Sequence, residues 1–265
     1  MAERALRMPS LRRSVSLSAP AVVAICLMLA GWEAYARLSG IAPAVLPAPS
    51  RVLEQAFVYR QALLGNTVPT VEATLLGFAC SLAAAFLLSV PIDFLPLVRR
   101  ALFPVFVISQ TLPLVAIAPL VVLWFGFGIV PKIVLVALVT FFPMLVALVQ
   151  GYDATEEDLE ILLHAMGASR RRIFLLARLP SALPYFFAGL RISITYAVVG
   201  AIFAEYAGAE NGLGIYMLNA KNNFRPDLVL AAVFVSAALT LALFAVATLV
   251  QRTAMPWQRL GKGGE

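Results

Sequence analysis

The sequence predicts an all-α integral membrane protein. It has about six transmembrane helices and one short amphipathic helix on the loop between the fourth and fifth. Three observations carry this. Of 265 residues, 62% are hydrophobic and 13% charged, against about a quarter charged in soluble domains. The mean hydropathy is +0.91. The apolar residues come in continuous runs of about 20, enough to cross a hydrocarbon core of about 30 Å, without the alternation of barrel strands. One long polar island, residues 153 to 184, interrupts them.

Taken in order, residues 1–19 form a basic N-terminus with Arg4, Arg7, Arg12 and Arg13. The apolar run from Pro20 to Leu38 is too long for a signal-peptide core, and no small-residue cleavage site follows. It reads as span one, with Trp32 and Tyr35 at an interface. Together with the Pro-rich external segment it makes up residues 20–65, in which Ser50 is expected to cap a short interfacial helix from Arg51 to Tyr59. Residues 66–251 form the core domain. Span two runs over 66–92, span three over 101–125, span four over 129–149, span five over 183–206 and span six over 228–251. A tail, 252–265, follows.

The island carries its own helix. Thr155 is its expected N-cap, with Asp158 three residues on in a capping-box arrangement. Glu156, Glu157 and Asp158 place negative charge in the first turn, where the helix dipole favours it. Leu159, Leu162, Leu163 and Met166 fall at i, i+3, i+4 and i+7, one apolar stripe. Gly167 suits a left-handed C-cap. A helix this short and greasy on one side either lies on its own bundle or docks into a partner.

Charge sets the orientation. With both termini inside, thirteen Lys/Arg residues face the cytoplasm and six face outward, the island being inside. The net charge of +6 therefore belongs to membrane loops and lipid headgroups. Nucleic-acid binding would need a basic soluble module, which is absent. No P-loop, dinucleotide fingerprint, H-E-x-x-H or G-x-S-x-G motif occurs. Cys26 and Cys80 lack metal-ligand spacing and read as small core residues; Gly212 and Gly214 read as turn glycines. These observations speak against a membrane-embedded enzyme. An ion-coupled secondary transporter is the rival class, but its inverted repeats are not evident.

The island resembles the cytoplasmic EAA loop of bacterial ABC-importer permeases, E-A-A, three residues, Gly, nine residues, I-x-L-P. Gly167, Leu179 and Pro180 stand in register. Ile161, Leu162 and Leu163 replace Glu-Ala-Ala, Ala177 replaces Ile, and Glu160 lies one residue early. The stretches L-P-A-P-S-R-V-L and S-Q-T-L-P-L-V-A-I-A-P-L-V-V-L-W-F-G-F-G-I-V-P-K resemble the sulfonate, nitrate, taurine and thiamine-pyrimidine-precursor branch. The resemblance covers roughly residues 44 to 251.

The resemblance implies a coupling helix between spans four and five that docks on an ATPase subunit, with Leu159, Glu160, Leu162, Leu163, Met166, Gly167, Ala168, Leu179 and Pro180 as coupling residues. It further implies two ATPase subunits using ATP and Mg, a second permease copy in a homodimer, and a periplasmic or lipoprotein solute-binding protein. This chain binds no cofactor or metal itself and sits multi-pass in the inner membrane. The candidate path residues are Gln110, Thr111, Tyr196 and Glu205. Glu33 and Glu72 are further ionisable groups within spans, where charge is costly. The S-Q-T-L-P-L-V-A-I-A-P-L and T-Y-A-V-V-G-A-I-F-A-E-Y stretches are most similar to pyrimidine-precursor permeases, with aliphatic sulfonate, taurine or nitrate as the alternative.

Overall fold

The structure, a computed structural model, describes residues 11–256, with the backbone alone for 11–19. Arg4, Arg7, Arg259 and Lys262 lie outside the described residues. Eleven helices follow one another among the described residues: α1 Leu11–Leu38, α2 Pro49–Val58, α3 Arg60–Phe94, α4 Pro96–Ser109, α5 Leu114–Phe125, α6 Ile129–Asp153, α7 Glu157–Ala165, α8 Arg170–Ile173, α9 Leu179–Tyr206, α10 Leu213–Asn222 and α11 Pro226–Ala254. A π-helical turn, Phe174–Arg178, joins α8 to α9.

The core is the packing of α6 against α3 on one side and α9 on the other. Lipid tails are as apolar as leucine, so helices in a membrane associate by close backbone approach. Small residues supply it here. A Cβ on Gly189 would lie 2.4 Å from the Ala147 Cβ, one on Gly151 2.6 Å from the Ala182 Cα, and one on Gly77 2.5 Å from the Val136 Cβ. Hydroxyls bridge the same seams. Ser193 Oγ donates to the Thr140 carbonyl (3.0 Å), and Ser89 Oγ pairs with Tyr152 Oη (3.0 Å).

Span three is not one straight helix. α4 and α5 meet at 101° across a short break. Pro113 is the N-cap of α5 with extended backbone (φ −69°, ψ 121°), and it has no N–H to continue the ladder. Gln110 and Thr111 close the end of α4 through bonds to the Val107 and Ile108 carbonyls. The pair still crosses from one face to the other. Arg99 and Asp93, beside its start, bond to Asp153 and Arg178 at the island face. Its end leads through Gly126 and Gly128, both at positive φ, into the opposite end of α6, where Lys132 meets Glu205. The five long apolar helices and this broken pair therefore give six crossings.

Other expectations are corrected at chain ends and turns. α2 starts at Pro49 rather than Arg51, with Ala48 at its N-cap. Its first turn is held instead by Glu33 of α1, whose carboxylate accepts from Ser50 N (2.9 Å) and Ser50 Oγ (2.7 Å). Thr155 is not the N-cap of α7; that position is Glu156, and Thr155 Oγ1 donates back to the Tyr152 carbonyl. Gly212 caps α10, but Gly214 lies inside that helix rather than in a turn. Cys26 and Cys80 are exposed rather than in the core, because apolar character in a membrane helix marks lipid-facing surface as well as interior.

Gly151→Val tests the α6–α9 seam. Its side chain meets the Ala182 backbone, so it should destabilise the protein by about 1–3 kcal/mol, read as a lower melting temperature in detergent. The neighbouring exposed Gln150→Ala should leave the melting temperature nearly unchanged.

Candidate functional site

The island helix α7 ends in a full Schellman motif. Ala168 N donates to the Leu163 carbonyl and Gly167 N to the His164 carbonyl, the six-to-one and five-to-two bonds of that motif. Gly167 stands at φ +79°, so the C-cap reading of the sequence holds. No residue of α7 is buried. Leu159, Ile161, Leu162 and Met166 are exposed, Met166 at 74%, while Leu163 is half-buried. Three of the four stripe residues, Leu159, Leu162 and Met166, are thus exposed rather than packed on the bundle.

The opposite side of α7 is clamped. Arg178 reaches Glu160 as a two-pronged fork, Nε to Oε1 at 2.8 Å and Nη2 to Oε2 at 2.9 Å, and gives Nη1 to Asp93 Oδ1 at 2.7 Å. One guanidinium therefore joins α7, the end of α3 and the π turn that begins span five. Arg suits this because its planar fork matches carboxylates bidentately. The Asp93 side chain is only 7% exposed, so its charge needs that partner. Phe94, His164, Arg170, Ile173 and Phe174 complete a cleft of about 310 Å³ around the clamp. Arg99 adds a second tie, to Asp153 at the end of α6 (2.6 Å); both partners are half-exposed, which keeps its contribution at about 0.2–1 kcal/mol. Leu179 is half-buried and Pro180 exposed beside the clamp.

Between the broken span and the α6–α9 pair lies a cavity of about 620 Å³. Its wall brings together Ser109 and Gln110 at the break, Phe142, Pro143 and Gln150 of α6, and Tyr185 and Tyr196 of α9. No Asp, Glu, Lys or Arg lines it. Gln110 and Tyr196 are where the sequence places path residues. Thr111 is not in the wall; its hydroxyl donates back to the Ile108 carbonyl.

Glu205 is also away from the cavity. It is fully buried at the face opposite α7. It accepts from Thr70 Oγ1 (2.8 Å) and Gly214 N (2.7 Å), with Lys132 Nζ at 3.8 Å. Asn66 Oδ1 accepts from Gly212 N, and Thr70 Oγ1 from Leu213 N. Gly212 sits at φ +138°, and a Cβ there would lie 2.2 Å from the Glu205 carboxyl. The node staples α3, α6, α9 and the start of α10. Glu72 is exposed beside it and lines a shallow cleft with Lys132 and Glu210. At the same face Arg225 bonds Asp227 (3.0 Å) and Gln55 (2.7 Å) and tops the Tyr59 ring. The Asp227 carboxylate raises its pKa further above the ordinary arginine value.

Sequence reasoning named Glu160 but not its partners Arg178 and Asp93, nor the Thr70, Asn66 and Lys132 side chains that hold Glu205. The one available signal for the first was an acidic residue ending an otherwise apolar span, Asp93. Removing the shared cation tests the clamp. Arg178→Ala should cost about 1–3 kcal/mol, since it leaves a nearly buried carboxylate unpaired. Arg178→Ala combined with Asp93→Asn should recover part of that melting-temperature loss. Equal losses in the single and double variants would contradict it.

Residues 75–256 match the family model described as binding-protein-dependent transport system inner membrane component. The chain is 34% identical over 250 residues to the formylaminopyrimidine transport permease protein ThiX of Halalkalibacterium halodurans, covering 94% of this chain and 99% of that protein. It is 32% identical over 241 residues to the riboflavin transport system permease protein RibX of Chloroflexus aurantiacus, covering 89% of each. It is 31% identical over 254 residues to the taurine transport system permease protein TauC of Escherichia coli, covering 93% of this chain and 91% of that one. A match over more than half the chain, relatives spanning nearly its whole length and six apolar crossings agree: the chain belongs to the binding-protein-dependent transport system inner membrane components, the permease subunits of ABC importers.

Proposed function

We propose that this permease carries a small neutral heteroaromatic compound, of the thiamine-precursor pyrimidine class, and that α7 is the helix on which an ATPase subunit docks. The exposed stripe residues Leu159, Leu162 and Met166 carry the docking reading. A stripe left open on a helix that its own chain clamps from behind is ready for a partner's groove. In this reading two copies pair across the cavity, two ATPases bind at the island side, and a solute-binding protein delivers at the Glu205 side. Both termini are then cytoplasmic. ATP and Mg belong to the ATPases, whose closure moves α7. The permease itself supplies different contacts in two states and breaks no bond in the solute.

Two observations support the substrate class. The relative at 34% identity is named for formylaminopyrimidine. The cavity wall is uncharged and offers amides and phenols, at Gln110, Gln150, Tyr185 and Tyr196. Flat neutral rings suit such a wall; a sulfonate would have to shed its hydration with no cation in return. The similarity to a taurine permease favours the sulfonate class as the second reading.

Leu162→Asp should lower co-purification of the ATPase by about tenfold or more, equivalent to about 1.4 kcal/mol, with gel-filtration behaviour unchanged. Undiminished co-purification would contradict docking at α7. In assembled proteoliposomes, labelled formylaminopyrimidine should accumulate with ATP and binding protein. Gln110→Ala or Tyr196→Ala should cut that uptake while ATPase binding is kept. Uptake of taurine alone would transfer the assignment to sulfonates, and uptake driven by an ion gradient without ATPase would overturn the importer mechanism here.

A further inference from the structure

On the outer surface of the bundle, α3, α9 and α11 leave a groove of about 300 Å³. Its wall is apolar, with Phe78, Leu82, Phe186, Leu190, Val246 and Val250 among its residues. The single hydroxyl in it, Thr74, is already donated to the Thr70 carbonyl at 2.6 Å. The groove exists because α11 stands off from the core: 17% of its apolar window is buried, against 50% for the segment containing α9.

A cation stands beside this groove. Arg191 follows the groove residue Leu190 on α9, and Gln251 follows the groove residue Val250 on α11. The Arg191 guanidinium donates to the Gln251 side-chain carbonyl and so bridges the two helices. Arg191 is exposed. Arg37, Arg99, Arg178 and Arg225 each hold a carboxylate; Arg191 has none among the described residues. It lies about 21 Å along α9 from Glu205, at 1.5 Å per residue, which puts it past the bilayer midplane in the leaflet nearer α7. A charged side chain at membrane depth is costly unless it finds an opposite charge or the interface.

We propose that Arg191 and Gln251 hold the phosphate of an anionic phospholipid of that leaflet, with one acyl chain lying in the α3–α9–α11 groove. The chemistry matches at both ends. A guanidinium offers parallel N–H donors to phosphate oxygens, and the free amide N–H₂ of Gln251 adds a donor beside it. The apolar wall takes the hydrocarbon. Basic positions between membrane helices at the cytoplasmic side are the sites where acidic headgroups are held. A second copy's α1 fits less well. A helix with side chains is about 10–12 Å across, too thick for a cavity of 300 Å³, and its acidic residue Glu33 is already engaged by Arg37 and Ser50. The bound lipid bridges α9 and the loosely packed α11.

The test uses the full-length protein purified in mild detergent, with native mass spectrometry during titration by phosphatidylglycerol or by phosphatidylcholine of the same acyl chains. The wild type should retain the first phosphatidylglycerol about tenfold more tightly than phosphatidylcholine. Arg191→Gln should bring the two lipids to near equality, and Arg191→Lys should restore part of the preference. Ala247 also lines the groove on α11, and Ala247→Trp, which fills it, should weaken retention of both lipids alike. Should Arg191→Gln fail to give a monodisperse protein, Gln251→Leu provides the second test, with a loss of preference of about threefold. Equal retention of both lipids by the wild type, or an undiminished preference in Arg191→Gln and Gln251→Leu, overturns the proposal.

Discussion

A single guanidinium sets the geometry of the island end of this molecule. Arg178 is shared by Glu160 on α7 and Asp93 at the end of α3, from a π turn that runs directly into span five. Without it, α7 would hang on the two loops that flank it, because none of its residues is buried. With it, the helix has one face bound and one face open. The bound face is polar and directional, where distance and fork geometry matter. The open face is apolar and has no partner within the described residues. A helix that is merely surface-packed would show the reverse arrangement, with its leucines inward.

The opposite end of the core is pinned by the complementary device, a buried anion. Glu205 gathers one hydroxyl, one backbone N–H and one ammonium from α3, α10 and α6. Between these two nodes, the seams of α3, α6 and α9 are close approaches of small residues, which tolerate little added volume. The trio is held at both ends and tightly packed between them. On the proposed docking of an ATPase at α7, a displacement of that helix would be carried through Arg178 to α3 and α9 together. The spans outside the trio are the broken span α4–α5, the peripheral α1 and the splayed α11. The cavity lies between the broken span and the trio, where relative movement would change its shape most.

The spans were legible because their lengths and compositions alone satisfy the bilayer. So was the stop of α7, since Gly167 takes a left-handed conformation that other residues adopt at a cost. What escaped reading depends on contacts between distant segments. The capping of α2 comes from Glu33, seventeen positions before Ser50, so Ser50 donates to that carboxylate instead of capping the helix itself. Thr155 lost the α7 cap to Glu156 because its hydroxyl bonds back into α6. Of the three prolines in span three, only Pro113 stands at the break; those at 104 and 119 are absorbed within helices, and composition alone does not tell them apart. Of the candidate path residues, Gln110 and Tyr196 meet in the cavity. Glu205 drew notice as an intramembrane carboxylate; it lies outside that wall and holds the turn before α10.

The most direct measurement of the rigid link is the number of solute molecules moved per ATP hydrolysed in the assembled transporter. It should be compared between the wild type and Glu160→Gln, which loosens α7 from Arg178 while leaving the Arg178–Asp93 pair and the exposed stripe in place. The expected result is unchanged ATPase binding and near-normal hydrolysis, with transport per ATP lowered by about tenfold, the weight of one charge-assisted contact. An unchanged ratio, with the ATPase still bound, would contradict transmission through the clamp.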